Sequence, residues 1–334
     1  SKPIGTSRFL KTIKCLDQSG QVIVKLLIKP TTINTITNSN NGQQFASSSD
    51  ASINVSPIVD SNGDIRLIDD NNNEIDALHI TQRQKVTTIA SDGLNLSIWV
   101  SKLEKLKSDL TDIPNALPYI HIIDSERAGY LIRPFMRFDL HERISLRPFL
   151  ESIEKKWIVF QLLSVLSKCH AKNVFHGDIK SENVLLTSWS WVQLTDFAIF
   201  KPVVLPEDNP SQFTFYFDTS QRYTCYVAPE RFSPNNQEIT GSEQLTAEMD
   251  IFSLGCVIAE LYLEGLPLFT LPQLFKYKRG EYQPNLDFID DLNLRKLILS
   301  MINLDPKKRL NAQDYLKKYR KSFFPDHFYT FLYP

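Results

Sequence analysis

The sequence has few cysteines and no long apolar run. Its four cysteines, at positions 15, 169, 225 and 256, show no C-x-x-C pair and no metal-ligand spacing. We therefore expect buried, reduced thiols rather than disulfides. No apolar stretch approaches the roughly 18 residues of a membrane span. Ser1-Lys2-Pro3 leads straight into foldable sequence, which predicts that there is no signal peptide.

Net charge is nearly absent as well, at −1 over 334 residues. Residues 31–80 carry seven acidic groups and one arginine, or −6, which leaves +5 on the remainder. A surplus that small does not favour nucleic-acid binding. The 42% hydrophobic and 22% charged content is ordinary for a soluble globular protein, and the length is sufficient for two lobes with sizeable cores.

Residues 31–80 differ from the rest in composition, because Asn, Ser, Thr and Asp dominate there. Such a segment has too little apolar surface to offset the entropy of ordering it. We predict a disordered insertion in a surface loop. A tolerated insertion is favoured over a partner-binding role, which stays open.

The stretch from 174 to 198 carries the strongest chemical signal. It reads V-F-H-G-D-I-K-S-E-N-V, then an apolar hairpin, then D-F-A. This pattern resembles the catalytic and metal loops of protein kinases. The resemblance implies that Asp178 orients the substrate hydroxyl, while Asn183 and Asp196 hold Mg²⁺. Lys180 would lie where negative charge develops on the transferred phosphoryl group.

The N-terminal hairpin pattern carries the expected nucleotide contacts. Lys25 interrupts an apolar strand, so its ammonium needs a carboxylate or phosphate partner, unless it lies on an edge strand and reaches solvent. G-T-S-R-F-L, from Gly5, follows the kinase glycine-rich loop in frame, with Ser7 and Leu10 at the other two glycine positions. The resemblance therefore implies ATP binding by Gly5, Ser7 and Lys25, altered in strength or geometry by the lost glycines.

A helix is expected after Gly93, because apolar residues recur there at helical spacing. Glu104 lies beside this stripe and, in the kinase interpretation, pairs with Lys25. A solvated surface glutamate is the alternative. Two short strands, 119–123 and 130–133, would complete a small antiparallel sheet. The stripe consists of Leu96, Trp99, Leu103, Leu106 and Leu110.

The remainder predicts a larger helical lobe. Buried helices are expected over 152–172 and 250–260, after a hinge within 134–150. The resemblance implies that Asp250 braces the catalytic loop and that Glu230, of A-P-E, pairs with Arg309, of D-P-x-x-R. We predict an α+β, bilobal protein-kinase-like fold, with a small antiparallel-sheet N-lobe (1–133) that has one main helix and a helical C-lobe (134–334).

Three longer sequence segments indicate a particular group of kinase-like proteins. T-S-W-S-W-V-Q-L-T-D-F-A, L-P-E-D-N-P and F-F-P-D-H-F-Y-T-F resemble the protein-kinase-like regulatory subunits of class III phosphatidylinositol 3-kinase complexes. That resemblance implies partnership with the lipid kinase catalytic subunit and its complex partners, in endosomal or vacuolar sorting and autophagy. It also implies a cytoplasmic protein, peripheral on endosomal, Golgi or vacuolar membranes through partners and an N-terminal lipid anchor. Since the sequence begins at Ser1 and ends at Pro334, we expect a trimmed kinase-like domain without that anchor.

Two departures bear on activity. Gly177 replaces the arginine of H-R-D, which makes switching by a phosphorylated activation loop unfavourable. Ala198 replaces the glycine of D-F-G, where a positive φ would be strained. Two hypotheses stay open: a serine/threonine kinase that uses ATP and Mg²⁺, or a nucleotide-bound or empty kinase fold that acts as a scaffold for the lipid kinase. A small-molecule kinase is less favoured, because A-P-E and D-P-x-x-R belong to protein kinases.

Overall fold

The computed structural model of this chain describes most of the sequence after residue 96 and shorter parts before it. Gly5 ends the first strand, whereas Ser7 lies outside the described residues. The described ranges are 3–5, 11–17, 20–28, 55–59, 65–69, 96–125, 128–218, 222–233 and 244–332.

The strands come first in the chain and the helices dominate later. The strands are β1 (Pro3–Gly5), β2 (Lys11–Asp17), β3 (Gly20–Ile28), β4 (Val55–Val59), β5 (Ile65–Asp69), β6 (Ala116–Leu117), β7 (His121–Asp124), β8 (Ala128–Pro134), β9 (Phe138–Asp139), β10 (Val184–Leu186), β11 (Val192–Thr195), β12 (Leu205–Pro206) and β13 (Phe232–Ser233). The helices are α1 (Leu96–Leu110), α2 (Leu140–Ser145), α3 (Ser152–Ala171), α4 (Pro210–Tyr216), α5 (Ala247–Tyr262), α6 (Leu271–Lys278), α7 (Leu292–Met301), α8 (Ala312–Lys318) and α9 (Asp326–Leu332).

The N-lobe is an antiparallel sheet in the order β1-β2-β3-β8-β7. β3 lies between β2 and β8, and its successive residues Val22, Ile23 and Val24 are all buried, so both faces of the strand are covered there. The register places Lys25 opposite Thr12 on one side and Leu131 on the other. Lys25 is therefore on an inner strand of the sheet, and the edge-strand alternative is wrong.

Two strands interrupt the segment predicted to be disordered. β4 and β5 pair antiparallel, with Val55 opposite Asp69 and Val59 opposite Ile65. Both contain β-branched residues, which favour extended backbone even where the surrounding composition is polar. The prediction of disorder is therefore wrong for these two strands, and the rest of 31–80 lies outside the described residues.

Helix α1 connects the two lobes. Its Leu103 packs with Tyr119 and Leu131 of the N-lobe, whereas Leu106 and Leu110 belong to the large C-lobe core. The predicted apolar stripe is confirmed at these three leucines, and the side chains of its first two members lie outside the described residues. The helix therefore fixes the N-lobe sheet relative to the helices beneath it.

The C-lobe is built around α3 and α5, and both are buried on most of their circumference. The helices predicted over 152–172 and 250–260 are confirmed. Gly255 lets α5 approach α7 closely, because a Cβ there would lie 2.9 Å from the Cβ of Met301. Within the described residues, no helix is long and apolar enough to cross a membrane. The four cysteines are free thiols, as predicted, and three of them are buried.

A second small sheet, in the order β6-β11-β10-β9, lies where the lobes meet. β10 follows a 3₁₀ turn, Ser181–Asn183, and β11 ends one residue before Asp196. Both strands are mostly buried between the helices. The hairpin therefore positions both polar loops singled out by the sequence at one end of the sheet.

Candidate active site

The buried carboxylate of Asp250 anchors the catalytic loop. It accepts hydrogen bonds from the backbone N–H groups of His176 (2.7 Å) and Gly177 (2.8 Å), and His170 Nε2 lies 3.0 Å from it. Burial by itself would raise the pKa of Asp250, but these contacts hold it below its ordinary value. Asp250 therefore stays ionised beneath the loop, as its predicted bracing role requires.

His176 joins the catalytic loop to the metal loop. Its Nε2 lies 2.8 Å from the carbonyl of Thr195, and its own carbonyl accepts the N–H of Ala198 at 2.8 Å. Nδ1 accepts the N–H of Asp178 at 3.2 Å, so Nε2 is the protonated nitrogen. Burial lowers the pKa of His176, which keeps the ring neutral. The two loops are thus tied together by one uncharged side chain.

Three of the predicted site residues meet in the catalytic loop. Asn183 Nδ2 donates to the Asp178 carbonyl at 2.8 Å and to its Oδ2 at 3.2 Å. Lys180 Nζ lies 3.6 Å from the same Oδ2. Burial would raise the pKa of Asp178, but Lys180 and Lys201 lower it below its ordinary value. Asp178 is therefore ionised at neutral pH.

Asp196 is surrounded by N-lobe donors. Its Oδ2 lies 2.6 Å from Lys25 Nζ, and its Oδ1 accepts the Tyr119 hydroxyl at 2.8 Å and lies 3.5 Å from Arg133 Nε. Burial opposes ionisation, yet the two cations hold the pKa of Asp196 far below its ordinary value. The positive φ of this loop, 64°, falls on Asp196, and Ala198 is not among the described residues with positive φ. The backbone strain that the sequence suggested at Ala198 therefore lies at Asp196 instead.

Glu104 does not reach Lys25, contrary to the pairing predicted from the sequence. Its side chain is 51% exposed, and its nearby cation is Lys107, at 3.8 Å. Lys25 takes Asp196 as its carboxylate. The solvated-surface alternative is correct for Glu104 in this structure, because α1 turns that face of the helix to solvent.

Lys201 was not predicted from the sequence as a site residue, yet it contacts the carboxylate of Asp178. Its Nζ lies 2.6 Å from Asp178 Oδ2 and 4.9 Å from the ring centroid of Phe217. Burial lowers the pKa of Lys201 from 10.5 to about 8, with Asp178 partly opposing the change. Lys180 Nζ lies 3.5 Å from the carbonyl of Phe217. The segment after Asp196 thus folds back over the catalytic loop.

Farther along, that segment is held by two buried ion-pair groups. Arg309 binds Glu230 with two hydrogen bonds, of 2.6 and 3.0 Å, which confirms the predicted pair. The fully buried Glu260 accepts from Arg222 and from Tyr226, each at 2.6 Å. These groups fix residues 222 to 231 against helix α5.

The donor set of the site fits magnesium. Asp196 supplies a carboxylate, and Asn183 supplies an amide oxygen, since its Nδ2 is already used as a donor. Hard oxygen ligands of this kind suit Mg²⁺, which usually takes its other ligands from water and substrate phosphates. Within the described residues, no cluster of three or more His, Cys, Asp or Glu side chains could hold a metal alone.

Comparison with known families supports the arrangement of these loops. Residues 73–319 match the model of the protein kinase domain. The chain belongs to this family. The bilobal α+β kinase fold predicted from the sequence is confirmed, and so is the assignment to the protein kinase domain family.

Several similar kinases share one name. A Komagataella pastoris protein provisionally named serine/threonine-protein kinase VPS15 is 50% identical over 338 residues, covering 100% of this chain and 20% of that protein. The Saccharomyces cerevisiae VPS15 kinase is 43% identical over 99% of this chain and 19% of its own length. The Arabidopsis thaliana VPS15 kinase is 46% identical over 74% of this chain and 17% of its own length. This kinase domain thus spans about a fifth of the curated relatives it matches, and its resemblance to VPS15-type kinases is confirmed.

Proposed function

We propose that this domain transfers the γ-phosphoryl group of Mg²⁺-ATP to serine or threonine hydroxyls of a protein. The observation that carries the proposal is the junction at His176, which ties the loop of Asp178 to that of Asp196. Two separate polar motifs are thereby held side by side, each with an ionised carboxylate. A carboxylate to orient the hydroxyl and another to hold metal are the parts that phosphoryl transfer requires.

The chain's own groups have distinct roles in this reaction. Asp178 accepts the proton of the substrate hydroxyl, and Asn183 fixes its carboxylate through the hydrogen bond to Oδ2. Lys180, close to Asp178, stabilises charge on the transferred group. Lys25 serves the nucleotide phosphates after leaving Asp196, while Asp196 and Asn183 hold the metal. Mg²⁺, when bound, would neutralise charge on the β- and γ-phosphates.

Both carboxylates hold internal cations in this structure. Lys25 is 2.6 Å from Asp196, and Lys201 is 2.6 Å from Asp178. Binding of Mg²⁺ and nucleotide must therefore displace Lys25, and proton transfer must displace Lys201. The same observation favours a second candidate function, a weakly active or inactive kinase fold that binds nucleotide as a scaffold.

In either case we propose that the domain regulates a class III phosphatidylinositol 3-kinase complex, with the lipid kinase catalytic subunit among its partners. The VPS15 names of the relatives and the phrases shared with that family support this role. Action in autophagy and sorting, on endosomal, Golgi or vacuolar membranes reached through partners and a lipid anchor, belongs to the same proposal. Co-purification of the lipid kinase with the full-length protein tests it.

The phosphotransfer proposal is tested with ATP labelled at the γ-phosphate. We expect label on the protein or on a generic serine/threonine substrate, and its loss in Asp178→Asn. Lys308→Met, which changes an exposed lysine, is the matched control and should transfer normally. If no variant transfers label but Mg²⁺-ATP still raises the melting temperature of the wild type, the scaffold function is correct.

A further inference from the structure

Arg231 is a buried cation that forms no ion pair within the described residues, although Asp178, Asp250 and Glu230 are near enough to favour its charge. The residue is only 2% exposed, and it is among the largest fully buried side chains. In the described part of the chain, no acidic group lies within ion-pair distance of its guanidinium. Burial accordingly lowers its pKa. An unpaired buried charge is costly, which suggests that its hydrogen bonds have a specific purpose.

The guanidinium donates to backbone carbonyls of the catalytic loop and of the segment that follows Asp196. Nη1 donates to the Gly177 carbonyl at 2.6 Å, Nε to Val203 at 2.8 Å and Nη2 to Pro202 at 2.9 Å. Gly177 directly precedes Asp178, and Pro202 directly follows Lys201. One side chain thus binds the backbone next to both members of the Asp178–Lys201 pair.

The ring of Phe217 completes this arrangement. Arg231 Cζ and Lys201 Nζ each lie 4.9 Å from its centroid. An aromatic face attracts cations, so the ring stabilises both charges in a dry environment. Phe217 is itself buried. The two cations and the ring therefore form one packed unit over Asp178.

Arg231 can act as a fixed point because its own backbone is anchored. It ends a 3₁₀ turn, Pro229–Arg231, whose Glu230 is bound by Arg309. The next residues form β13, which pairs with β12 just beyond Val203. That pairing spans only two residues of each strand, so the side chain of Arg231 adds substantially to the attachment of residues 202 to 206.

We propose that Arg231 is a positioning residue that closes the segment after Asp196 over the catalytic loop and holds Lys201 on Asp178. The hydrogen bonds to the Pro202 and Val203 carbonyls fix the position of the segment, and the hydrogen bond to the Gly177 carbonyl fixes the peptide group that precedes Asp178. Loss of Arg231 opens the segment and releases Lys201. Any effect of this release on catalysis rests on the phosphotransfer function proposed above, whereas the contact between Lys201 and Asp178 does not depend on that function.

The proposal is tested by the chemical reactivity of Lys201 in the nucleotide-free protein. A small amine-acylating reagent is applied over a series of pH values, and labelling of each lysine is followed by mass spectrometry. In the wild type we expect Lys201 to react slowly, because it is buried and paired. In Arg231→Gln, loss of charge-assisted bonds should raise the Lys201 rate at least about tenfold. The exposed Lys308 should react at the same rate in both proteins.

Two further variants separate positioning from general support of the fold. Arg222→Gln removes another mostly buried arginine of the same segment, one that binds Glu182 and Glu260, and should leave the Lys201 rate unchanged. Arg231→Lys keeps the charge but cannot reach three carbonyls at once, so its Lys201 rate should be intermediate. Arg231→Lys also decides the matter if Arg231→Gln does not fold.

An unchanged Lys201 rate in the folded Arg231 variants overturns the proposal, even if their melting temperatures fall. A rise equal to that in Arg222→Gln overturns it too, since general loosening would then explain both. Faster Lys201 labelling without phosphoryl transfer in any variant supports the positioning role and contradicts the phosphotransfer function instead.

Discussion

Replacement of Lys201 by methionine probes the contact that occupies the proposed base. Methionine has a similar length and no charge, so it keeps packing against Phe217 while removing the ion pair with Asp178. If Lys201 restrains the site, Asp178 becomes available to a substrate hydroxyl without displacement of an ammonium. We expect Lys201→Met to transfer phosphate faster than the wild type.

The magnitude follows from the geometry of the pair. A hydrogen bond between charged partners contributes about 1.5–3 kcal/mol, and each 1.4 kcal/mol changes a population tenfold. Removing the 2.6 Å contact should therefore raise the transfer rate about tenfold to a hundredfold at neutral pH. Burial lowers the pKa of Lys201 from 10.5 to about 8, so keeping it charged costs the folded state about 3 kcal/mol. The methionine variant should consequently melt no lower than the wild type.

The pH dependence gives an independent check. The folded-state pKa of Lys201 lies below its unfolded value, so its destabilising charge is fully present below about pH 8 and disappears as the pH rises toward 10.5. Wild-type transfer should rise as the pH passes about 8, because the neutral amine binds Asp178 more weakly. The Lys201→Met profile should lack this rise.

Initial rates of label transfer from γ-labelled ATP, measured across this pH range, provide the assay. Lys308→Met serves as the charge-matched control, because that lysine is exposed and distant in sequence from the site. A rate for Lys201→Met as low as that of Asp178→Asn would contradict a restraining role for Lys201. Lys201 would then take part in the reaction rather than restrain it.

Three further perturbations test the architecture. Arg309→Met leaves Glu230 without its ion-pair partner and should lower the free energy of unfolding, measured in urea, by about 3 kcal/mol. Arg320→Met removes the exposed pair with Asp326 and should lower it by less than about 1 kcal/mol. Equal losses in the two variants would contradict an architectural role for the pair of Arg309 and Glu230. Gly177 has a φ of +74°, and a Cβ added there would lie 2.6 Å from a Leu245 methyl, so Gly177→Ala should lower the free energy of unfolding by about 1–3 kcal/mol. Adding Leu245→Ala to that variant should recover only the part of this loss that comes from the steric clash. Asp196 and Asp178 have lowered pKa values, so their stabilisation is present above about pH 4 and is lost as the pH falls; Asp196→Asn should flatten acid unfolding, and an unaltered curve would contradict these ion pairs.

Local sequence patterns explain why the candidate site residues could be placed near one another from the sequence. Asp178, Lys180 and Asn183 lie within six residues, and a short hairpin of buried strands separates them from Asp196. Helix α3 could be placed because its apolar residues cover most of its circumference. In these cases the interacting groups are close in sequence, so spacing is sufficient.

The errors arose where composition or spacing is a poor guide to contacts. The average polarity of 31–80 concealed two short β-branched runs that pair as β4 and β5. Glu104 shared a helix with the predicted apolar face, but the spacing of that face does not specify how far the helix turns relative to Lys25. A difference of one side-chain position decides between a buried ion pair and an exposed carboxylate.

The sequence was sufficient to predict the kinase fold, the order of its loops and the candidate residues for phosphoryl transfer, because the motifs that resemble protein kinases are short and local. Tertiary structure alone decided which charges meet. Asp196 faces Lys25 and Arg133, Asp178 faces Lys201, and Arg231 supports that last pair from behind. These partners come from segments separated by 23 to 171 residues of sequence. Burial then makes each pairing strong enough to shift pKa values, because charges removed from solvent are screened less.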